Sequence, residues 1–442
     1  MEKLFKLKEH GTDVKTEILA GITTFLAMAY ILAVNPTYLA AAGMDQASVF
    51  TATALSAAIA TLCMAFIANY PVALASGMGL NAFFAFTVCL GMGYSYKVAL
   101  TAIFVEGIIF IILSFFRFRE ALVNKIPANL KFGISAGIGL FITIVALEGS
   151  GVVVLNESTI VALGDFSSAA FVLSMVGLMI IAVLQHYKVP GSILLGIIIT
   201  WILGIFAQLA GWYVPAEGTS LIPSLSSIGI AAPTFFAFDF NFVTQNFAAF
   251  AVIVFTFLFT DIFDTVGTLI GVASKADLLD ENGELPNAKG ALLSDAIGTV
   301  VGACLGTSTV TSYVESTVGV AAGGKTGLTA LTTAVLFIVA LIFAPIFLAI
   351  PTFATTPAVV YVGLLMLSAV KKVDFESDMA DAVSAFLAIV IIPLTYSISN
   401  GIMFGIISWV VIKIFTGKIK EINPIMWISV ALFILYIIVQ VL

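Results

Sequence analysis

Charge is what this sequence has least of. Only 10% of its 442 residues are Asp, Glu, Lys or Arg, against 61% hydrophobic, and the mean hydropathy is +1.16. A chain so poor in charge does not coat a water-soluble globule, which excludes a soluble enzyme and leaves a polytopic membrane protein. Cysteine is scarce too: Cys63, Cys89 and Cys304 fall in apolar segments without CxxC or Cys/His spacing. Neither a disulfide framework nor a metal site is therefore indicated, and no cofactor is called for. No basic patch exists to attract nucleic acid, and the formal charge is −7. The opening MEKLFKLKEHGTDVK lacks an apolar core and a small-residue cleavage site before the first span near Ile18, so no cleaved signal peptide is expected.

What is present is a succession of apolar segments, each close to the roughly 20 residues that cross a bilayer. They include 18–40, 48–68, 72–91, 98–116, 132–153, 168–187, 191–212, 244–272, 291–307, 308–323, 328–350, 357–370, 380–397 and 399–416. The last, 425–441, reads either as a further crossing or as an interfacial helix. Of the eighteen Lys and Arg residues, only Lys97 departs from the parity expected if the N-terminus is cytoplasmic, and the long 213–243 connection has none. Cytoplasmic loops accumulate these residues, so the chain is expected to sit in the plasma (inner) membrane with its N-terminus inside.

An internal repeat emerges when Leu55–Thr61 (LSAAIAT) is set against Leu293–Thr299 (LSDAIGT), 238 residues later, with five of seven positions identical. Seven crossings separate the copies, and an odd number inverts the second. An inverted seven-plus-seven repeat is a transporter signature. The same offset aligns NYPVALASGMGLNAFFAF (69–86) with TSTVTSYVESTVGVAAGG (307–324). VALAS and STVTSYV are β-branched or extended runs that make poor helix starts and good short strands. Each segment is therefore expected to be half strand and half helix, buried or lining a cavity, with free N–H groups near Gly77–Asn81 and Glu315–Gly319.

The fold class is thus an all-α polytopic protein of about fourteen segments. Its chemistry concentrates in few residues. FTDIFDTVGTL puts Asp261 and Asp264 three residues apart, on one helical face, inside an apolar run. An Asp at a helix centre costs about 2.5–3.5 kcal/mol on insertion scales, so two on one helix require a function or partners. Burial disfavours the ionised carboxylate, which is how a membrane acid comes to couple to a proton. Glu315 is the third intramembrane acid, at the expected break of TSYVESTVGV, with Thr311, Ser312 and Ser316 around it. Asn81 in GLNAFFAF offers a donor and an acceptor near the other break, and Phe83 an aromatic face. Glu106, Glu148 and His186 carry weaker signals. GGKTG (323–327) lacks the GxxxxGK[ST] spacing of a phosphate loop and reads as a tight cytoplasmic turn.

Carboxylates, an amide, hydroxyls and a phenyl suit a flat, neutral heterocycle with several N–H donors and ring acceptors, as in a purine or pyrimidine. An intramembrane aspartyl protease is disfavoured because its acids face each other from different helices. A cation or proton channel is disfavoured by paired broken segments in an inverted repeat.

GLNAFFAF, FDTVGTLIGV, TSYVESTVGV, GGKTGLTA and NPTYLAAAGM resemble the AzgA-like purine permeases of the nucleobase/ascorbate transporter superfamily (nucleobase:cation symporter-2), over nearly the whole chain. The resemblance implies two inverted repeats of seven spans. Residues 1–126 and 241–352 would form a core domain, and 127–240 and 353–442 a gate domain. It also implies proton-coupled uptake of adenine, guanine or hypoxanthine by elevator-like movement of core against gate, often as a homodimer. Uracil, xanthine or ascorbate is the alternative substrate class. By motif, Asn81, Phe83, Asp264, Thr311, Glu315 and Ser316 would bind substrate, and Asp261, Asp264 and Glu315 would handle the proton. Where the family often has Arg this chain has Lys325, which keeps the charge but not the bidentate fork.

Overall fold

A strand inside a membrane-spanning element must find its hydrogen-bonding partner elsewhere in the chain, because lipid offers none. That requirement organises this molecule. The computed structural model describes residues 2–115, 127–215, 221–223, 230–276, 278 and 285–441, apart from the side chains at positions 3, 115, 263, 266, 267, 270, 271, 274, 275 and 439–441. The fold is 73% helical. Among the described residues, ten helical stretches are long and apolar enough to cross a membrane, and four shorter apolar helices accompany them.

The first half begins with α1 (Val14–Met28), α2 (Ile31–Ala41) and α3 (Gln46–Cys63). Asp13 and Asp45 start α1 and α3 as N-caps, accepting from the backbone N–H groups of Lys15, Thr16 and Ser48. Strand β1 (Leu74–Ser76) and helix α4 (Met78–Ala82) follow, and α4 runs on into wider π-type turns over Phe83–Gly91. Then come α5 (Tyr96–Phe115), α6 (Ala128–Gly149), a hairpin of β2 (Val153–Asn156) and β3 (Ile160–Leu163), α7 (Ala169–His186) and α8 (Ser192–Leu209).

The second half opens with α9 (Phe247–Lys275) and α10 (Ala288–Leu305). Strand β4 (Val310–Ser312) and helix α11 (Ser316–Ala321) form its broken segment. The remainder is α12 (Gly327–Ala340), α13 (Thr352–Leu367), α14 (Met379–Thr395), α15 (Ile398–Phe415) and α16 (Pro424–Val441).

β1 and β4 pair antiparallel, with Leu74 opposite Ser312, Ala75 opposite Thr311 and Ser76 opposite Val310. Leu74 and Ser312 are also separated by the 238-residue offset of the sequence repeat, so the local two-fold relating the copies passes through this pair. In each half the repeat threonine holds a strand. Thr61 Oγ1 donates to the Leu74 carbonyl at 3.1 Å and accepts from its N–H at 2.9 Å, while Thr299 Oγ1 donates to the Val310 carbonyl at 3.0 Å. Gly298 and Ala60, also repeat equivalents, meet across the interface. A Cβ on Gly298 would lie 2.6 Å from that of Ala60, so glycine sets how closely α3 and α10 approach.

Packing divides the helices. α1, α3 and α5 pack chiefly with α9 to α12, and α2 lies mainly against α3 and α4, whereas α6, α7, α8, α13, α14 and α15 pack chiefly with one another. α16 lies against α9 and α15. Three features are not visible in hydropathy. The first apolar segment is two helices, divided at Ala29–Tyr30. The segment expected over 132–153 leaves the helix at Gly149, because Ser150 and Gly151 (φ +73°) turn the chain into the β2–β3 hairpin. Finally, Glu17 is fully buried in the GGKTG turn, accepting from the N–H groups of Lys325, Thr326 and Thr329 and from the Thr329 hydroxyl. The donors that would cradle a phosphate in a phosphate loop are taken here by the chain's own carboxylate.

Candidate functional site

The site is built around the β1–β4 ladder. Antiparallel pairing places the starts of α4 and α11 at opposite ends of two three-residue strands, and α9 passes beside both β4 and α4. Side chains from three remote parts of the chain converge there.

Asp261 and Asp264 share a face of α9, but their surroundings differ. Asp261 is fully buried, with Thr265 Oγ1 and Thr299 Oγ1 each 3.4 Å from its oxygens. Asp264 keeps partial exposure and lies in the electrostatic neighbourhood of Glu315 and Tyr313. Glu315 immediately precedes α11 and accepts a 2.8 Å hydrogen bond from the Tyr30 hydroxyl, delivered from the division between α1 and α2. The Tyr313 hydroxyl donates to the Ser76 carbonyl, tying β4 to the end of β1.

Asn81, in α4, is buried. Its Nδ2 donates to the Ser76 carbonyl at 3.5 Å, and its Oδ1 receives no hydrogen bond among the described residues. Phe83 is buried edge-on against Phe257 of α9, with ring centroids 4.8 Å apart. Thr311 and Thr265 share a 2.8 Å hydroxyl contact. Ser316 Oγ accepts from the Ala73 N–H at 3.0 Å, so this hydroxyl already bridges the two broken segments. The half-buried Asp264 and the buried Glu315 are thus brought near one another, Asn81 and Phe83 lie on the α4 side, and Thr311, Ser316 and Asp261 are tied into the scaffold.

Several contributors escape a reading of motifs. Tyr30 and Tyr313 sit in apolar or β-branched runs and announce nothing until the strands pair. Asn35 donates through Nδ2 to Thr53, Ser76 and Thr307 at 2.7, 3.3 and 2.8 Å, fastening α2 and α3 to the ladder. Asp295, the acid of the LSDAIGT repeat, is fully buried and accepts from Ser312 Oγ at 3.0 Å. Its departure from Ala57 in the other copy was the signal available.

Glu148, at the end of α6, accepts from the Tyr396 hydroxyl at 2.8 Å. It borders a cleft of about 440 Å³ between α2 and the α6–α13 pair, lined also by Thr37, Tyr38, Phe86, Thr355 and Thr356. Outside the spans, Asp378 caps α14 and is gripped by Lys418 at 2.6 Å and Lys413 at 2.9 Å. The Lys418 hydrogen bond above all holds its carboxyl well below the ordinary carboxylate range.

Residues 15–404 match a family described as the Permease family. Over 99% of this chain and 99% of the relative's length, the sequence is 43% identical to the guanine/hypoxanthine permease PbuG of Bacillus subtilis. It is 41% identical to the adenine permease AdeP of Escherichia coli, over 99% of this chain and 96% of that protein. Among solved structures, the transmembrane domain of the cyanobacterial bicarbonate transporter BicA superposes with a TM-score of 0.63 at 16% identity, covering 90% of this chain and 97% of that one. The shared architecture is the seven-plus-seven inverted repeat.

Proposed function

The chain belongs to the Permease family of nucleobase:cation symporters, and we propose that it imports purine nucleobases (hypoxanthine, guanine or adenine) by proton symport. It is a transporter and not an enzyme. The observation that carries the purine reading is the proximity of the half-buried Asp264 to the buried Glu315, together with Asn81 in α4, whose buried Oδ1 receives no hydrogen bond among the described residues. Two carboxylates accept from the N–H edge of a planar base, and an amide pairs with a ring nitrogen or carbonyl group. The likeness to curated guanine/hypoxanthine and adenine permeases over the full length supports the same substrate class.

Residues 1–126 and 241–352 act as a core that carries the site, and 127–240 with 353–442 as a gate. Preferential packing within these two groups supports the division, as does the cleft between α2 and the α6–α13 pair. In this mechanism the core moves against the gate like an elevator, exposing the Asp264–Glu315 edge alternately to either side. The chain lies in the plasma membrane bilayer with its N-terminus cytoplasmic, and the family resemblance supports a homodimer.

The test is uptake of radiolabelled hypoxanthine, guanine and adenine by cells expressing the wild type or Asp264→Asn, with and without a protonophore. Saturable accumulation abolished by the protonophore and by the substitution, with the variant present in the membrane, is the expected result. No purine uptake by well-expressed wild type removes the substrate assignment.

A further inference from the structure

Behind the Asp264–Glu315 edge lies a second group of acids that the transport of a neutral base does not itself require. Glu106 of α5 is fully buried in the middle of its helix, and no N–H or hydroxyl of the described residues donates to either of its oxygens. What it faces instead are two other carboxyls, Asp261 of α9 and Asp295 of α10. The close approach that puts it there is built in. A Cβ on the adjacent Gly107 would lie 2.8 Å from Val300 and 3.1 Å from Thr299, so glycine lets α5 press onto α10 at this level. Asp261 is also fully buried and has Glu106, Asp295 and Asp264 as charged neighbours. Neither Glu106 nor Asp261 is in an ion pair among the described residues.

Resting on the reading above, we infer that Glu106, Asp261 and Asp295 form a proton-holding site distinct from the substrate edge, with Glu106 as its innermost acceptor. The hydrogen-bond arithmetic is direct. An ionised carboxylate only accepts, so two facing carboxyls bond each other only when one retains its proton, whose O–H then donates to its neighbour's O⁻. No other donor of the described residues reaches Glu106, so a proton is the ligand that satisfies it.

The site also has a route to the substrate edge. From Asp261 a hydroxyl path runs through Thr265, 3.4 Å away, to Thr311 at 2.8 Å, while Asp264 lies one turn along α9. A proton arriving from one side adds to one carboxylate of the group, and the same carboxyl releases it to the other side and returns to carboxylate. Charge in the core thereby changes by one, and the substrate edge feels it through Asp264.

Glu106→Gln, which mimics a permanently protonated side chain, separates this role from substrate binding. Protein in liposomes is assayed three ways: equilibrium binding of radiolabelled hypoxanthine, guanine and adenine, exchange against internal unlabelled base, and base-driven acidification read by a trapped pH-sensitive dye. The expected result is retained binding and exchange with loss of base-driven acidification. Uphill accumulation falls to simple equilibration, and the pH profile of uptake flattens. Glu106→Asp, which keeps the carboxyl, restores part of the acidification.

Unchanged acidification and pH profile in Glu106→Gln overturn the inference while leaving the purine symporter reading intact. Parallel loss of binding and acidification in both variants also overturns it, by merging Glu106 with the substrate site or the scaffold. Wild type that neither binds nor moves purines removes the underlying reading instead, and that result is seen before any variant is made.

Discussion

The two copies of the repeat share a backbone plan and divide the chemistry unequally. LSAAIAT in α3 and LSDAIGT in α10 occupy equivalent places, and both hold a ladder strand through their last threonine. Yet Ala57 of the first copy is a small core residue, whereas Asp295 of the second is a buried acid bound to Ser312. The broken segments differ in the same sense. The first ends in Asn81 and Phe83, and the second brings Glu315. Backbone symmetry is required because each strand needs the other, but nothing requires the side chains to match. A duplicated fold can therefore concentrate acids on one side of the axis and leave amide and aromatic groups on the other.

The most severe way to break this division is to make it symmetric. Ala57→Asp places in the first copy a fully buried acid without the Ser312 partner of the second. We expect a loss of several kcal/mol and no folded protein in the membrane, read by fluorescence-detected size exclusion. Glu315→Gln is next: it removes charge from the second broken segment, and base affinity should fall on the order of 10²-fold in equilibrium binding, with thermal stability kept.

Close approach at the axis is tested by exchanging the Ala60 and Gly298 types. Gly298→Ala should cost about 1–3 kcal/mol by overpacking, whereas Ala60→Gly should cost about 1 kcal/mol or less, both read by thermal unfolding in detergent. Equal costs would mean that the interface does not distinguish the copies. Asn81→Ala should weaken base binding by about 1 kcal/mol, roughly fivefold, well below the Glu315 effect.

The smallest effect belongs to an acid with cations around it. Asp378 has its carboxyl held down by Lys418 first and Lys413 second, so its stabilisation is present above the ordinary carboxylate range near 4 and fades as pH falls below it. Asp378→Asn should lower stability slightly at neutral pH, by about 1 kcal/mol or less, read as a small drop in melting temperature. The difference from wild type should close toward low pH.

Much of the fold was legible because lipid imposes simple rules on sequence. Spans of about 20 apolar residues stand out, and five identities in seven marked the repeat. The β-branched runs of the broken segments resolve into β1 and β4. Other elements left no such mark. The division at Ala29–Tyr30 falls in an unbroken apolar run, because both helices need the same residue types. The β2–β3 hairpin exposes Leu155 and Ile160 at 81% and 79%, so it lacks the polar alternation that announces a solvated strand.

The candidate site divides along the same line. Residues too polar for their surroundings are legible in the order of the chain: Asp261, Asp264, Glu315, Asn81 and Glu106 each interrupt an apolar or β-branched stretch, and insertion energetics make that conspicuous one residue at a time. Which of them meet is settled by the fold. Asp264 faces Glu315 because β4 pairs with β1, Tyr30 reaches Glu315 across 285 positions, and Glu106 comes to Asp261 and Asp295 because Gly107 lets two helices touch. Burial cost is a property of a single side chain and its neighbours in sequence, whereas partnership is a property of distance in space, which the order of residues does not record.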